Sequence, residues 1–194
     1  MSDPVEILNY WLGEVGPDGW FAGGAALDAQ IRDRFLEVWQ AAHDDGLEHW
    51  VEGAAGTLAY LVVCDQMPRN IHRGSALAFA TDVRALSAAR KALNEGWDMA
   101  APEPERMFFY LPFEHSEKLS DQTQSVRLMS ERLSDPEMVL HARAHQEIIK
   151  RFGRFPYRNA ALGRESTADE ESFMRDGGYA AMVEALKSSH AAGA

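Results

Sequence analysis

The chain of 194 residues carries 19 basic and 30 acidic side chains, a formal charge of −11, with 46% hydrophobic and 25% charged residues. That balance argues against a general nucleic-acid binder, which needs a net basic surface to displace counterions, and against docking on an anionic membrane surface. The single cysteine, Cys64, leaves no internal disulfide to form and fits a reducing compartment.

In chain order, Asp3 followed by Pro4 reads as an N-cap with proline at the first helical position, and Gly13 as the end of that helix. Gly16-Pro17-Asp18-Gly19 and Gly23-Gly24 read as loop, with Trp20 and Phe21 tucking it onto the body. From Asp28, the apolar positions Ile31, Phe35, Val38, Trp39 and Ala42 follow helical spacing up to Asp44-Asp45-Gly46. Residues 54–66 are apolar nearly all round, which predicts a buried central helix stopped by Pro68. Ser75 is placed to cap a long helix ending near Gly96, and the helix that begins at Pro102–Tyr110 must kink or end at Pro112. Ser120 opens a helix to about Leu133, Asp135-Pro136 opens another that ends at Gly153, and Thr167 with Glu170 forms a capping box. No strand pattern intervenes. The expected fold is all-α, a single domain of antiparallel helix pairs over residues 1–178, with 179–194 a C-terminal helical extension and frayed tail.

The N-terminus lacks the basic stretch and apolar run of a signal peptide. The longest apolar run, Leu58 to Cys64, falls far short of the roughly 20 residues that span a bilayer. A cytoplasmic protein with no nucleic-acid or membrane partner is expected. Charge is uneven along the chain: residues 1–64 hold eleven acidic residues against Arg32 and Arg34. By contrast, the segment from Ile148 to Arg164 contains Lys150, Arg151, Arg154, Arg158 and Arg164 and no acid, so it wants an anionic partner, internal or external.

Three motifs stand out: Asp65-Gln66-Met67-Pro68-Arg69-Asn70, Leu111-Pro112-Phe113-Glu114-His115-Ser116-Glu117, and Arg151-Phe152-Gly153-Arg154-Phe155-Pro156-Tyr157-Arg158-Asn159. With Leu162-Gly163-Arg164 and Ser166-Thr167 downstream, the chain resembles the bacterial family catalogued as domain of unknown function 924, from Val5 to about Phe173. The resemblance implies a tetratricopeptide-like all-helical superhelix and no particular reaction. The sequence itself shows no self-similarity at a period near 34 residues.

Asp65 sits on the inner face of the most apolar helix, at its unfavourable C-terminal end, and must be protonated or meet a cation: Arg69 or Arg73 nearby, Arg154 or Arg158 from afar. It is either half of an internal ion pair or a site carboxylate. Glu114-His115-Ser116-Glu117 follows a helix-breaking proline. There His115 is a candidate general base oriented by Glu114 or Glu117, and the alternative is a polar helix end capping its own backbone. His141 and His145 share one face of the helix from Pro136 with Met138, Ala142, Ile148, Ile149 and Phe152. Their spacing suits a shared metal, but no third ligand is identifiable, and of the two only His145 falls at a motif position of that family. No metal is therefore expected. No cofactor is expected either, because the chain lacks a phosphate-cradling glycine loop and a dinucleotide fingerprint.

The leading expectation is a binding module whose Arg69, Asn70, Arg154, Arg158, Asn159 and Arg164 accept an acidic peptide or protein, or a small anion, by two-point arginine contacts. The alternative is an enzyme, a hydrolase among the candidates. It would use a His/carboxylate pair drawn from His115, Glu114, Glu117, Asp65 and His145, with arginines holding an anionic substrate.

Overall fold

A computed structural model describes residues 3–192, and the last two residues of the tail expected to fray lie outside them. The described residues are all-helical and contain no strand. No described helix is long and apolar enough to cross a membrane. Two compact units divide the chain, Met1–Pro112 and Phe113–Ala194.

In the first unit, α1 (Pro4–Leu8) opens where expected, its Asp3 carboxylate accepting the Glu6 N–H at 2.9 Å. Gly13 does not end it. The backbone widens into a π-helix, Asn9–Val15, and continues into α2 (Gly16–Trp20), so the expected loop at Gly16–Gly19 is helical. Pro17 fits there because the first turn of a helix requires no N–H from it. Trp20 is buried, its Nε1 donating to the Trp11 carbonyl at 2.7 Å, but Phe21, expected beside it, stays 60% exposed.

Helix α3 (Ala25–His43) buries Ile31, Phe35, Val38, Trp39 and Ala42, the predicted stripe. The central segment runs as α4 (Ala54–Leu61), a π-helical turn (Val62–Gln66) and α5 (Met67–Ile71), and it passes through Pro68 without stopping. An α-helix would need an N–H at position 68 for the Cys64 carbonyl, which proline lacks. That carbonyl instead accepts the Thr81 hydroxyl at 2.6 Å, while the Met67 N–H bonds back to Val62 in π register. Gly56 is required where it stands, because a Cβ there would meet the Trp50 carbonyl at 2.3 Å. Ser75 caps only a short 3-10 turn, Ala76–Phe79, and α6 (Asp82–Glu95) follows as a separate helix closed by Gly96 at φ 71°. A further 3-10 turn, Glu105–Phe109, leads to α7 (Leu111–Glu114), which contains Pro112 in its first turn.

In the second unit, α8 (Leu119–Arg132) and α9 (Pro136–Phe152) form an antiparallel hairpin across a three-residue link. Asp135 caps α9 through the Glu137 N–H at 2.9 Å, and Gly153 closes it at φ 70°, as its left-handed position demands. Thr167 and Glu170 make the predicted reciprocal box at the start of α10 (Ala168–Arg175), and α11 (Gly178–Ala192) packs back onto α9. Ile148, Ile149, Phe155 and Phe173 are the centre of this unit's core.

Candidate functional site

The second unit gathers the titratable side chains. Helix α7 ends at Glu114, and a helix end leaves carbonyls without partners. Gln122 on α8 supplies them: its side-chain amide donates to the carbonyls of Phe113, Glu114 and Ser116 at 3.5, 2.5 and 2.7 Å. The Ser116 hydroxyl donates to Asp121 at 2.8 Å. These bonds fix the backbone of 113–116 and hold Glu114 inward, 4% exposed.

Opposite Glu114 on α9 stands His145. Its Nδ1 lies 3.0 Å from Glu114 Oε1 and 3.0 Å from the His141 carbonyl. Two acceptors facing one ring nitrogen place the proton on Nδ1, which leaves the Nε2 lone pair for chemistry in the neutral ring. Burial pushes the Glu114 carboxyl up, but the charge and hydrogen bond of His145, with His115 and His141 behind, bring it net below the usual carboxylate range. Glu114 Oε2 is buried and finds no hydrogen-bond partner among the described residues. His115 lies with its ring centroid 6.4 Å from that of His145. His141 pairs with Tyr179, its Nδ1 2.5 Å from the phenol oxygen, whose ionisation burial opposes. No three His, Cys, Asp or Glu side chains among the described residues converge as metal ligands.

Aromatic rings continue outward from His145. Phe155 meets it edge-on at 5.5 Å and Tyr179 at 4.7 Å. Tyr157 stacks on Phe155 at 5.2 Å and meets Tyr179 at 6.4 Å. Glu117 does not orient a histidine. It takes both prongs of Arg164 at 2.7 and 3.0 Å and the Phe155 N–H at 2.8 Å, and these outweigh the burial that would raise its carboxyl.

The arginine-rich segment is consumed largely from within. Arg154 forks onto Glu170 at 2.6 and 2.8 Å and, with the capping bonds from Thr167, holds that carboxyl down to about 2. Asn159 donates to Ser166 at 3.0 Å and to Glu170 at 3.4 Å, and accepts from Arg164 at 2.9 Å. Arg158, 7% exposed, lies over the Phe155 ring at 4.6 Å. In the first unit Arg69 reaches Asp82 at 2.8 Å, bonds the Ala78 carbonyl, and stands 3.7 Å from the buried Asp65, which also accepts from Gln66 at 2.5 Å. Asn70 and Arg73 both hold Asp28, and the Arg73 hydrogen bonds lower the Asp28 carboxyl.

The structure brings together three of the sequence candidates, Glu114, His115 and His145, and the partner of Glu114 is His145 across 31 positions. Tyr179 and Gln122 carried no local signal beyond residue type, and Phe155 and Tyr157 lie in the Arg151–Asn159 motif, where the arginines and not the rings drew the expectation. The solved structure of a protein of unknown function from Agrobacterium tumefaciens, ATU0120, is similar: 40% identity, TM-score 0.85, covering 90% of this chain and 97% of that one. None of the curated proteins matches. The family described as bacterial proteins of unknown function, DUF924, matches residues 7–178, and the chain belongs to it.

Proposed function

We propose that Phe113–Ala194 carries a general acid–base site of a small-molecule enzyme, a hydrolase by the simplest chemistry. Glu114 orients His145 through Nδ1, and His145 Nε2 moves the proton. The observation that carries this reading is the buried Glu114 carboxylate, 3.0 Å from His145 Nδ1 with its second oxygen unpartnered among the described residues. A carboxylate behind an imidazole fixes its tautomer and stabilises the imidazolium that forms when Nε2 takes a proton. The arginines that would hold an acidic peptide give that role less support, because Arg69, Arg154 and Arg164 already grip Asp82, Glu170 and Glu117. The α8–α9 hairpin with α11 laid on α9 supports the helical-hairpin side of a tetratricopeptide-like reading. Cys64, buried and alone, supports a cytoplasmic one.

The test is hydrolysis of p-nitrophenyl acetate, p-nitrophenyl phosphate and peptide anilides by the wild type and by folded His145→Gln and Glu114→Gln. Turnover that falls roughly 10²–10⁴-fold in His145→Gln is expected. Turnover unchanged by His145→Gln, or none with any substrate, overturns the proposal.

A further inference from the structure

Beside the Glu114–His145 pair, the charged side chains are answered locally: Glu117 by Arg164, Glu170 by Arg154, with Arg158 laid against a ring. What remains to face a ligand is aromatic. Phe155 is fully buried, stacked at 22° interplanar angle and 5.2 Å on Tyr157, and Tyr157 is 36% exposed. Tyr157 meets Tyr179, and Tyr179 meets His145 at 4.7 Å. Ring contacts thus run without a break from a partly exposed tyrosine to the imidazole.

We infer that this chain of rings is the substrate-recognition surface of the proposed site and takes a planar aromatic or heteroaromatic ring, laid on the exposed part of Tyr157 with its reacting substituent toward His145. The inference rests on the acid–base reading for the role of His145 and on the ring geometry for everything else. A planar ring extends an offset stack in a way a saturated ring of equal size cannot, because the quadrupoles of two π faces favour the parallel-displaced arrangement. Tyr157 stands two ring contacts from His145, through Tyr179 at 6.4 and 4.7 Å, so a ring laid on Tyr157 is a third contact out and reaches the imidazole through an extended substituent. The neutralised surroundings favour an uncharged or weakly charged ligand, since a free ionic group would find its counter-charges already engaged.

The test compares phenylacetamide with cyclohexylacetamide, a neutral pair differing in planarity, by NMR titration of the full chain, following the Tyr157 ring and His145 Cε1–H signals. Phenylacetamide binds roughly three- to tenfold more tightly, the range an aromatic pair adds beyond buried area. That preference disappears in Tyr157→Ala and survives in Tyr157→Phe. His145→Gln retains the binding preference, so loss of hydrolysis and loss of ring recognition are read separately. Equal affinities, a preference surviving in Tyr157→Ala, or no binding of either compound at millimolar concentration overturns the inference.

Discussion

At Pro68-Arg69-Asn70 and at Pro156-Tyr157-Arg158-Asn159 a proline-led turn delivers an asparagine, and in both places that asparagine and a forked arginine grip one carboxylate. In the first unit Asn70 and Arg73 hold Asp28 on α3. In the second, Asn159 and Arg154 hold Glu170 on α10. The two clamps differ in what else depends on them. Arg73 is half exposed, and Asp28 joins the first turn of α3 to Asn70 on α5 and to Arg73 just after it. Glu170 also closes the capping box of α10, and its clamp is continuous through Asn159 and Arg164 with Glu117, three residues after Glu114. The comparison teaches that arginine–asparagine motifs of this kind lock corners. The proposed chemistry is assigned instead to the nearby Glu114–His145 pair.

The difference between the clamps can be measured. Glu170→Ala removes an ion pair, a helix cap and an asparagine contact together, and is expected to lower the unfolding free energy by about 3 kcal/mol in urea titration. Asp28→Ala leaves an arginine that water can reach, and is expected to lower it by about half as much. Equal losses would erase the distinction. Acid sharpens it further. The Glu170 carboxyl titrates at about 2 in the folded chain against an ordinary 4.5, so its contribution is complete above 4.5 and is lost as pH falls through that interval. Urea midpoints followed from neutral pH down to about pH 2 should fall less steeply in Glu170→Gln than in the wild type. The smallest effect belongs to Tyr179→Phe, which deletes the phenol bond to His141 and should lower stability by about 1 kcal/mol while leaving the ring contacts to His145 in place.

What could be read from the chain beforehand divides along the same line between local and distant causes. Asp3-Pro4, Asp135-Pro136, Gly153 and the Thr167–Glu170 box all mark helix ends in the structure, because caps are decided within four residues of themselves. The π-helical turns were not legible. Whether Pro68 ends a helix depends on Thr81, thirteen positions away, offering its hydroxyl to the carbonyl that proline cannot serve. Glu114 and His145 were each visible as candidates, but their pairing depends on Gln122 fixing the bend at 113–116. The aromatic neighbours Tyr157 and Tyr179 come from separate turns, and although Tyr157 lies in the Arg151–Asn159 motif, nothing local to either ring shows that it meets the imidazole.

The turn at Val62–Gln66 bears on which changes of length this protein can accept. A π turn holds one residue more than an α turn, so the turn at Val62–Gln66 already absorbs one extra residue, and a further residue inserted into α4 ahead of it, with nothing to absorb it, rotates everything after it by about 100°. That rotation carries Asn70 and Arg73 away from Asp28 and the Cys64 carbonyl away from Thr81. Insertions and deletions in this lineage should therefore avoid the stretch from Ala54 to Ile71 and accumulate in the turns at 22–24 and 44–46. Substitutions that keep the apolar volume can pass through the same stretch with little consequence for register.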